Sequence, residues 1–383
     1  MQKIINQDRI IQDELLKPTD KVLVLLGPRQ IGKTTLLKNS FPDSTYINIE
    51  KSDYIDVLNS RDTNKIKELF DSLDKSQTKS IILDEVQRLK DPGLVAKVIY
   101  DELKEYKLII SGSSALEIAN TASESLAGRK KTILMYPLSY RELQIQTNQL
   151  EPSINQIMLY GLYPGQINIS SPSQKEEYLI ELVDSIILKD IYYLNIVKNT
   201  KNLIAVLKLL AYQVGQLVNY SEIADRIGIS RITVVDYIEI LKKSYIIFTL
   251  APYTNKRRDE IGKTEKVYFY DLGVRNALIN DFSPVEYRKD YGNLFENFVI
   301  AEVMKANYYN KLRYNLNFWR TKWGSEVDLV LTKDGQHKAI EIKTRKGKIT
   351  KTFKDTYENT EEEIVTVDKF KEFISRLSTI NII

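Results

Sequence analysis

Eight residues near the start of the chain have the types and spacing of a phosphate-binding loop. Residues 27–34 fit the pattern G-x-x-x-x-G-K-[S/T]. Glycines let the backbone curl until its N–H groups face an anion, and a following helix adds partial positive charge. Lys33 would reach the β- and γ-phosphates of a nucleotide, and the Thr34 hydroxyl would bind Mg²⁺. The predicted nucleotide contacts are Gly27, Pro28, Arg29, Gln30, Ile31, Gly32, Lys33, Thr34 and Thr35.

Two adjacent carboxylates supply the second half of this chemistry. The apolar run 80–83 predicts a strand that ends in Asp84 and Glu85. Asp84 would hold the Mg²⁺ shell, and Glu85 would orient and polarise the attacking water. Many buried strands end in aspartate, so the pair is informative only together with the loop. Together they favour hydrolysis of ATP, with Mg²⁺ as cofactor, over binding alone.

Two further residues are candidates for catalysis, each with an alternative. Ser113 follows the predicted strand 106–110, where its hydroxyl would sense the γ-phosphate. Ser113 or Ser114 would equally serve as the cap of a following helix. Arg129 would act as an arginine finger that stabilises charge in the transition state, although a lone arginine is more often a surface or structural residue.

The elements that position these residues read as an α/β fold. The unbroken apolar run 22–26 predicts a buried parallel strand, and residues 35–39 continue as a helix. Further strands are predicted at 45–49, 80–85, 106–110 and 131–135. Parallel strands bring their carboxyl ends to one edge of a sheet, where ligand chemistry is found.

A second set of charged residues lies in the last ninety positions. Asp328 falls on the predicted strand 326–331, and Glu341 and Lys343 fall on the next, after a turn at Asp334-Gly335. This resembles a PD-(D/E)xK nuclease site, in which carboxylates hold Mg²⁺ or Mn²⁺ and the lysine steadies hydroxide. Glu296, on a preceding predicted helix, would complete the metal ligands. The alternative is a solvated strand face with salt bridges. A basic rim follows at Arg345, Lys346, Lys348 and Lys351.

The middle of the chain predicts a winged helix-turn-helix. Helical patterns over 202–214, 220–227 and 231–244 precede strands at 245–250 and 266–270. Arg231 would start the recognition helix, and the wing would carry Lys256, Arg257 and Arg258. Asp236 and Glu239 put negative charge on the third helix, so both DNA binding and protein binding stay open.

The motifs together resemble a known family. Segments 27–35, 83–87, 111–114, 126–129 and 137–139 occur in the order found in prokaryotic AAA+ ATPases whose C-terminal half is a restriction-endonuclease-like domain of unknown function. The resemblance implies ATP binding and hydrolysis, and a helical lid after the nucleotide domain, where Lys189 and Asp190 are undecided candidates. It also implies a role for Arg129 near the phosphates.

Length and composition set the limits of the hypothesis. The 383 residues contain no cysteine, which excludes disulfides and thiolate zinc sites. His337, the single histidine, lies in the predicted turn 333–337 and is expected to be a surface residue. No apolar run approaches a membrane span, and residues 1–20 lack a signal-peptide core, so we expect a cytoplasmic protein without membrane partners. A net charge of +4 is too mild to prove nucleic-acid binding.

The sequence therefore predicts four parts and one leading hypothesis. They are a P-loop AAA+-type ATPase domain over 1–150, a helical lid over 151–200, a winged helix-turn-helix over 201–285, and a PD-(D/E)xK nuclease-like domain over 286–383. In the leading hypothesis, the binding and hydrolysis of ATP would control the winged-helix and nuclease-like half of the chain, and that half would act on DNA or RNA. The alternative is a non-cleaving regulatory switch that binds protein. A homo-oligomer is compatible with the resemblance, and Arg129 would then act within one chain or on its neighbour.

Overall fold

The computed structural model describes residues 9–75, 77–113, 126–146, 152–185, 199–254 and 264–379. The chain divides into two compact units. The amino-terminal unit comprises Met1–Pro137, Ser185–Lys198 and Lys243–Tyr245, and the carboxy-terminal unit comprises Leu138–Asp184, Asn199–Lys242 and Ile246–Ile383. Each unit has its own sheet and its own buried apolar core.

The amino-terminal unit is built on a five-stranded parallel sheet, which confirms the predicted α/β class. Its strands are β1 (Val22–Leu26), β2 (Thr45–Asn48), β3 (Ser80–Asp84), β4 (Lys107–Gly112) and β5 (Lys130–Leu134). The spatial order is β2-β3-β4-β1-β5. All five residues of β1 are buried, as expected for a central strand covered on both faces. Leu26 lies beside Gly112 and Leu134, so the carboxyl ends of three strands meet at one edge.

Five described helices surround this sheet. They are α1 (Gln12–Leu16), α2 (Lys33–Ser40), α3 (Ser52–Ser60), α4 (Thr63–Leu73) and α5 (Pro92–Glu102). Two of them begin with an aspartate cap: the Asp62 carboxylate accepts the N–H groups of Asn64 and Lys65 at the start of α4, and the Asp91 carboxylate accepts that of Leu94 at the start of α5. Phe70 of α4 packs edge-on against Tyr106, which lies just before β4, and both are part of the apolar core.

The described chain beyond Pro137 is mainly helical until its last quarter. The helices are α6 (Tyr140–Gln146), α7 (Ile154–Tyr160), α8 (Pro164–Ile167), α9 (Pro172–Ser185), α10 (Thr200–Tyr212), α11 (Tyr220–Ile227), α12 (Arg231–Lys243), α13 (Leu272–Ile279), α14 (Tyr291–Tyr309), α15 (Lys351–Thr356) and α16 (Phe370–Thr379). The three helices predicted in the middle of the chain are confirmed as α10, α11 and α12. None of the described helices combines the length and apolarity that a bilayer crossing requires.

Two sheets complete the carboxy-terminal unit. An antiparallel pair consists of β6 (Ile247–Leu250) and β7 (Lys266–Phe269). A four-stranded sheet has the order β11-β10-β9-β8 and consists of β8 (Asn315–Arg320), β9 (Glu326–Lys333), β10 (Gln336–Ile342) and β11 (Thr360–Val365). β9 and β10 form the predicted hairpin, and their register pairs Leu329 with Ile340. Because an antiparallel register continues one residue at a time, Glu341 lies opposite Asp328.

Candidate functional site

The segment between β1 and α2 has the backbone shape of an anion-binding loop. Gln30 and Gly32 adopt left-handed conformations, with φ of 61° and 92°. Gly27 has φ of 154°, and a Cβ atom there would lie 2.1 Å from the carbonyl oxygen of Met135. Only glycine fits this close approach, which fixes where the loop begins. The loop then runs directly into the first turn of α2 at Lys33, so helix N–H groups point into it.

The Lys33 side chain lies inside the loop. Lys33 is 5% exposed, and its ammonium group donates to the carbonyl oxygens of Gly27 at 2.7 Å and Pro28 at 2.8 Å. The loop thus holds the charge at its centre, where a bound phosphate would meet it. Pro28 and Ile31 are buried, Arg29 is half-buried, and Gln30 and Thr35 are exposed at the surface.

A buried arginine supports the loop from behind. Arg9 donates to the carbonyl oxygen of Ile31 at 2.9 Å and to that of Tyr136 at 2.6 Å. It is 4% exposed, and these bonds tie the loop to the segment after β5. Sequence reasoning missed Arg9, since no local motif marks an arginine whose partners lie 22 and 127 residues away.

The predicted magnesium ligands lie next to one another. The Thr34 hydroxyl donates to Asp84 Oδ2 at 2.6 Å, although 50 residues separate them in sequence. The same oxygen accepts from the Tyr46 hydroxyl at 2.7 Å, and Asp84 Oδ1 accepts from the Ser111 hydroxyl. Burial, together with the hydrogen bond to Asp84, raises the pKa of Tyr46 well above its usual value. Tyr46 therefore stays a neutral donor.

This donor set fits a magnesium ion held with nucleotide phosphates. A hydroxyl and a carboxylate from two elements, at the mouth of a loop rich in N–H donors, are the protein oxygens that such an ion takes. When bound, Mg²⁺ supplies charge neutralisation to the phosphates. Tyr46 and Ser111 were not predicted, because only the sheet order reveals that β2 and β4 flank β3.

Glu85 and Ser113 belong to the same sheet edge and share a partner. Glu85 has a left-handed φ of 60°, which turns the chain sharply after β3. The Gln87 amide nitrogen donates to Glu85 Oε2, and the Gln87 amide oxygen accepts from the Ser113 N–H at 3.4 Å. The buried Ser113 hydroxyl has no hydrogen-bond partner among the described residues. Ser114 lies outside the described residues.

Arg129 lies at the opposite edge of the sheet. Its carbonyl oxygen accepts the N–H of Val22, the first residue of β1, whereas the loop follows the last residue of that strand. At about 3.3 Å per residue the two ends of β1 are roughly 13 Å apart. The Arg129 guanidinium pairs with Asp101 at 2.8 Å. The structure thus does not bring Arg129 to the loop of its own chain.

The second predicted site forms on the hairpin of the carboxy-terminal unit. The Lys343 ammonium contacts Asp328 Oδ2 at 3.1 Å and Glu341 Oε1 at 2.8 Å. Asp328 Oδ2 also accepts the Ile342 N–H at 2.8 Å. Burial raises the pKa of Glu341, and the neighbouring Asp328 carboxylate adds to the rise. Burial alone would lower the pKa of Lys343, but Asp328 and Glu341 outweigh it and raise that pKa to about 12.

Glu296 joins a neighbouring ion pair instead of these two carboxylates. Glu296 Oε1 accepts from the Lys266 ammonium at 3.0 Å and from the Tyr268 hydroxyl at 2.7 Å. Lys266 is 3% exposed and also contacts Glu326 at 2.5 Å. Within the described ranges, no three acidic or histidine side chains are grouped closely enough to hold a metal ion. Lys266 and Tyr268 carried no signal in the sequence.

Asp328 and Glu341 still fit a divalent cation as a pair. Mg²⁺ is commonly held by one or two protein carboxylates, with waters and phosphates as its other ligands. Glu341 Oε2 is buried and has no hydrogen-bond partner in the described part of the chain. That orphaned acceptor is consistent with a ligand position, and the Lys343 ammonium lies beside both carboxylates.

The predicted nucleic-acid residues are only partly described. Arg231 is exposed at the first position of α12, and Asp236 and Glu239 are exposed on the same helix. The wing residues Lys256, Arg257 and Arg258, and the candidates Lys189 and Asp190, lie outside the described residues. Arg345, Lys346, Lys348 and Lys351 are exposed after β10.

His337 differs from its prediction as a surface residue of a turn. It belongs to β10, and its Nε2 atom lies 2.6 Å from the Tyr253 hydroxyl. Its ring packs against Tyr253, Phe353 and Tyr357. The turn ends at Gly335 and β10 begins with the next residue, so His337 belongs to the strand. The local sequence does not reveal the aromatic cluster that its ring contacts.

Three family models match the chain. Residues 19–144 match a model described as an AAA domain. Residues 151–284 and 291–378 match models described as domains of unknown function, DUF8612 and DUF4143. The first match agrees with the loop, the parallel sheet and the Thr34–Asp84 pair. The amino-terminal part of the chain is therefore similar to AAA domains.

Similar proteins occur in bacteria and archaea. An uncharacterized protein of Haemophilus influenzae is 26% identical over 328 residues, which cover 80% of each chain. One from Mycobacterium tuberculosis is 25% identical and covers 84% of this chain and 70% of its own length. One from Methanocaldococcus jannaschii is 25% identical and covers 86% and 75%, respectively. These likenesses extend through both units.

Solved structures resemble the chain only weakly. A signal transduction ATPase with numerous domains from Pyrococcus horikoshii, with a tetratricopeptide repeat sensor, aligns with a TM-score of 0.30 at 15% identity. The alignment covers 78% of this chain and 44% of that one.

Proposed function

We propose that the amino-terminal domain binds Mg·ATP and hydrolyses it. The observation that carries the proposal is the 2.6 Å hydrogen bond between the Thr34 hydroxyl and Asp84. These are the two side chains that would share the magnesium ion, and they meet at the mouth of a glycine-shaped loop. The AAA domain match supports the same assignment.

The remaining residues of this edge have distinct proposed roles. Lys33 binds the β- and γ-phosphates, because its ammonium is already buried at the loop centre. Glu85 orients and activates the attacking water, and Gln87 holds the Glu85 carboxylate in place. The Ser113 hydroxyl, which has no partner among the residues that the structure describes, contacts the γ-phosphate. Arg129 acts on the nucleotide of a neighbouring copy, since it lies at the wrong edge to act on its own.

Two substitutions test the ATPase proposal. Lys33→Ala removes the phosphate contact, and we expect calorimetry with Mg·ATP to show no binding. Glu85→Gln keeps the loop intact, so we expect ATP binding at wild-type affinity with turnover reduced about 100-fold or more. Lys65→Ala and Glu68→Gln, both exposed on α4, are matched controls that should leave both values unchanged. Normal turnover in Glu85→Gln would remove Glu85 from the mechanism.

We further propose that the carboxy-terminal half acts on nucleic acid. In this proposal residues 151–200 form a lid, 201–285 a winged helix-turn-helix, and 286–383 a PD-(D/E)xK nuclease-like domain. The supporting observation is the placement of Lys343 between Asp328 and Glu341 on paired strands. The two carboxylates would hold Mg²⁺ or Mn²⁺, and Lys343 would stabilise the charge that develops on the attacked phosphate.

Metal-dependent cleavage of DNA or RNA tests this second proposal. Asp328→Asn and Lys343→Ala should each abolish cleavage, because one removes a metal ligand and the other removes the charge stabiliser. Asp334→Asn is the matched control, since Asp334 is exposed at the far end of the same hairpin. Cleavage that survives in Asp328→Asn would exclude the site.

The alternative is a non-cleaving ATP-dependent switch whose carboxy-terminal modules bind protein. One observation favours it: the single Lys343 ammonium pairs with both Asp328 and Glu341, as it would in a structural ion-pair network. Stimulation of ATP hydrolysis by DNA or RNA separates the two. We expect stimulation if the carboxy-terminal half acts on nucleic acid, and none if it is such a switch.

A further inference from the structure

The turn between β8 and β9 presents an isolated tryptophan to solvent. Trp323 is 93% exposed, the highest value among the large apolar side chains of the described residues. The turn that carries it is closed by hydrogen bonds from the Thr321 N–H to the Ser325 carbonyl at 2.9 Å, and from the Ser325 N–H to the Thr321 hydroxyl at 3.1 Å. Gly324 has a left-handed φ of 92°. The backbone of the turn is therefore structured, and it places the indole in solvent.

This turn lies at the same end of the sheet as the Asp328 carboxylate. β9 starts at Glu326, which pairs with Arg320 across the turn, and Asp328 is only two residues further along the strand. Asp328 lies five residues after Trp323, so at about 3.3 Å per residue the two lie at most roughly 16 Å apart. A nucleic-acid strand with about 3.4 Å between successive nucleotides spans this distance in no more than about five of them.

The charged residues near Trp323 indicate what kind of ligand would bind there. Lys322 precedes it in the turn, and the basic rim follows Lys343 at the same end of the hairpin. These cations form no ion pair in the part of the chain that the structure describes: Lys322, Arg345, Lys346, Lys348 and Lys351. The other residues of the turn, 321–325, are polar or glycine, so within the turn the exposed indole is flanked by polar and cationic groups and not by further apolar side chains.

We infer that Trp323 is a stacking platform for an unpaired base of a single-stranded nucleic acid whose backbone follows the basic rim toward Asp328 and Glu341. Single-strand binding combines cations that track the phosphates with exposed aromatic rings that take the bases. Inside a duplex both faces of every base are already stacked, so a duplex offers such a ring a base face only at its two ends. The inference rests on the proposed action of the carboxy-terminal half on nucleic acid, and it specifies the strandedness of that substrate.

Fluorescence provides a direct test, because the chain has only two tryptophans and Trp319 is 5% exposed. The probe is a labelled twelve-nucleotide oligothymidylate or oligouridylate, used with EDTA so that no cleavage occurs. We expect the oligonucleotide to quench Trp323 emission in the wild-type protein. Trp323→Ala should abolish the quenching and weaken binding about five- to 150-fold, the range found for loss of one stacked base. Trp323→Phe should restore most of the affinity.

Tyr287→Ala is the matched control, since Tyr287 is 85% exposed elsewhere in the same unit and should not affect binding. Wild-type affinity in Trp323→Ala, or tighter binding to a blunt duplex of equal length, would overturn the inference and leave the nucleic-acid proposal intact. If the wild-type protein binds neither single strands nor duplex, the nucleic-acid proposal fails and the inference fails with it. Quenching of Trp323 by anionic lipid vesicles without any effect of oligonucleotide would also overturn it.

Discussion

At the scale of single residues, Glu296 shows how far burial changes ordinary chemistry. Burial raises the pKa of Glu296 to about 7, and the nearby Asp328 carboxylate adds to the rise, while Lys266 and Tyr268 oppose it. Lys266 forms ion pairs with both Glu296 and Glu326, so one ammonium group is shared between two carboxylates. A glutamate that was predicted to bind a metal ion is therefore partly protonated near neutral pH.

This raised pKa predicts a pH-dependent stability. The folded state holds the Glu296 proton more tightly than the unfolded state, so its contribution is complete below about pH 4.5 and is lost as pH rises through about 7. At 1.36 kcal/mol per unit, the wild type should lose up to about 3 kcal/mol more than Glu296→Gln between pH 4.5 and pH 8. Urea unfolding in EDTA, followed by Trp319 emission, measures this difference.

Glu222→Gln provides the comparison, because Glu222 lies on the surface of α11, where it pairs with Arg226 at 2.9 Å. Its pH dependence should match that of the wild type. Parallel curves for the wild type and Glu296→Gln would show that Glu296 titrates as an ordinary glutamate.

At the scale of elements, the nucleotide loop depends on a residue outside its motif. Arg9 precedes α1, yet its guanidinium bonds the loop at Ile31 and the segment after β5 at Tyr136. Both partners are main-chain carbonyls, so these hydrogen bonds hold the backbone in position and do not involve the side chains of Ile31 and Tyr136. The loop is thus held from two sides, by Arg9 and by the close approach of Gly27 to Met135.

We predict that Arg9→Gln weakens ATP binding, although Arg9 acts only through the backbone of the loop and not on ATP itself. The shorter side chain leaves buried carbonyls without a donor, at a cost of about 1–3 kcal/mol. We expect the free loop to relax and relieve this cost, so ATP binding must restore it and the affinity should fall by up to about five- to 150-fold. Calorimetry with Mg·ATP measures the change, and turnover at saturating ATP should stay close to the wild-type value. Lys17→Gln, at the exposed end of α1, should leave the affinity unchanged. A lower turnover at saturation would instead place Arg9 in the chemistry.

At the scale of the whole molecule, the chain itself joins the two units more than once. The amino-terminal unit is made of three separate segments, so the chain passes between the units at several positions. In a protein of two connected units, a ligand bound to one unit can change the affinity of the other unit for its own ligand. Thermodynamic linkage requires that effect to be the same in both directions. If the proposed functions of both halves hold, ATP and oligonucleotide should each change the affinity for the other by one common factor.

The Glu85→Gln variant allows this factor to be measured at equilibrium, because it should bind ATP without hydrolysing it. We expect saturating ATP to change the oligonucleotide affinity at least about fivefold, the lower end of typical coupling. The oligonucleotide should change the ATP affinity by the same factor. If neither ligand changes the affinity for the other, the two units bind their ligands separately.

Much of the fold followed from local pattern. The apolar run of β1, the glycine loop and the helix after it form one continuous signal, because hydrophobic periodicity and glycine placement act over a few residues. The helices α10, α11 and α12 were predicted for the same reason. His337 was placed wrongly, since its packing partners Tyr253 and Phe353 are distant in sequence.

The sequence alone determined which residues are available for chemistry: the phosphate-loop motif, the acidic pair after β3, and the acid–lysine pattern of the hairpin. Only the tertiary structure decided how they are used. It placed Tyr46 and Ser111 on Asp84, turned Glu296 toward Lys266, and put Arg129 at the far edge of the sheet. The reason is physical: a motif depends on neighbouring residues, whereas the partner of a buried charge depends on which strands and helices pack together.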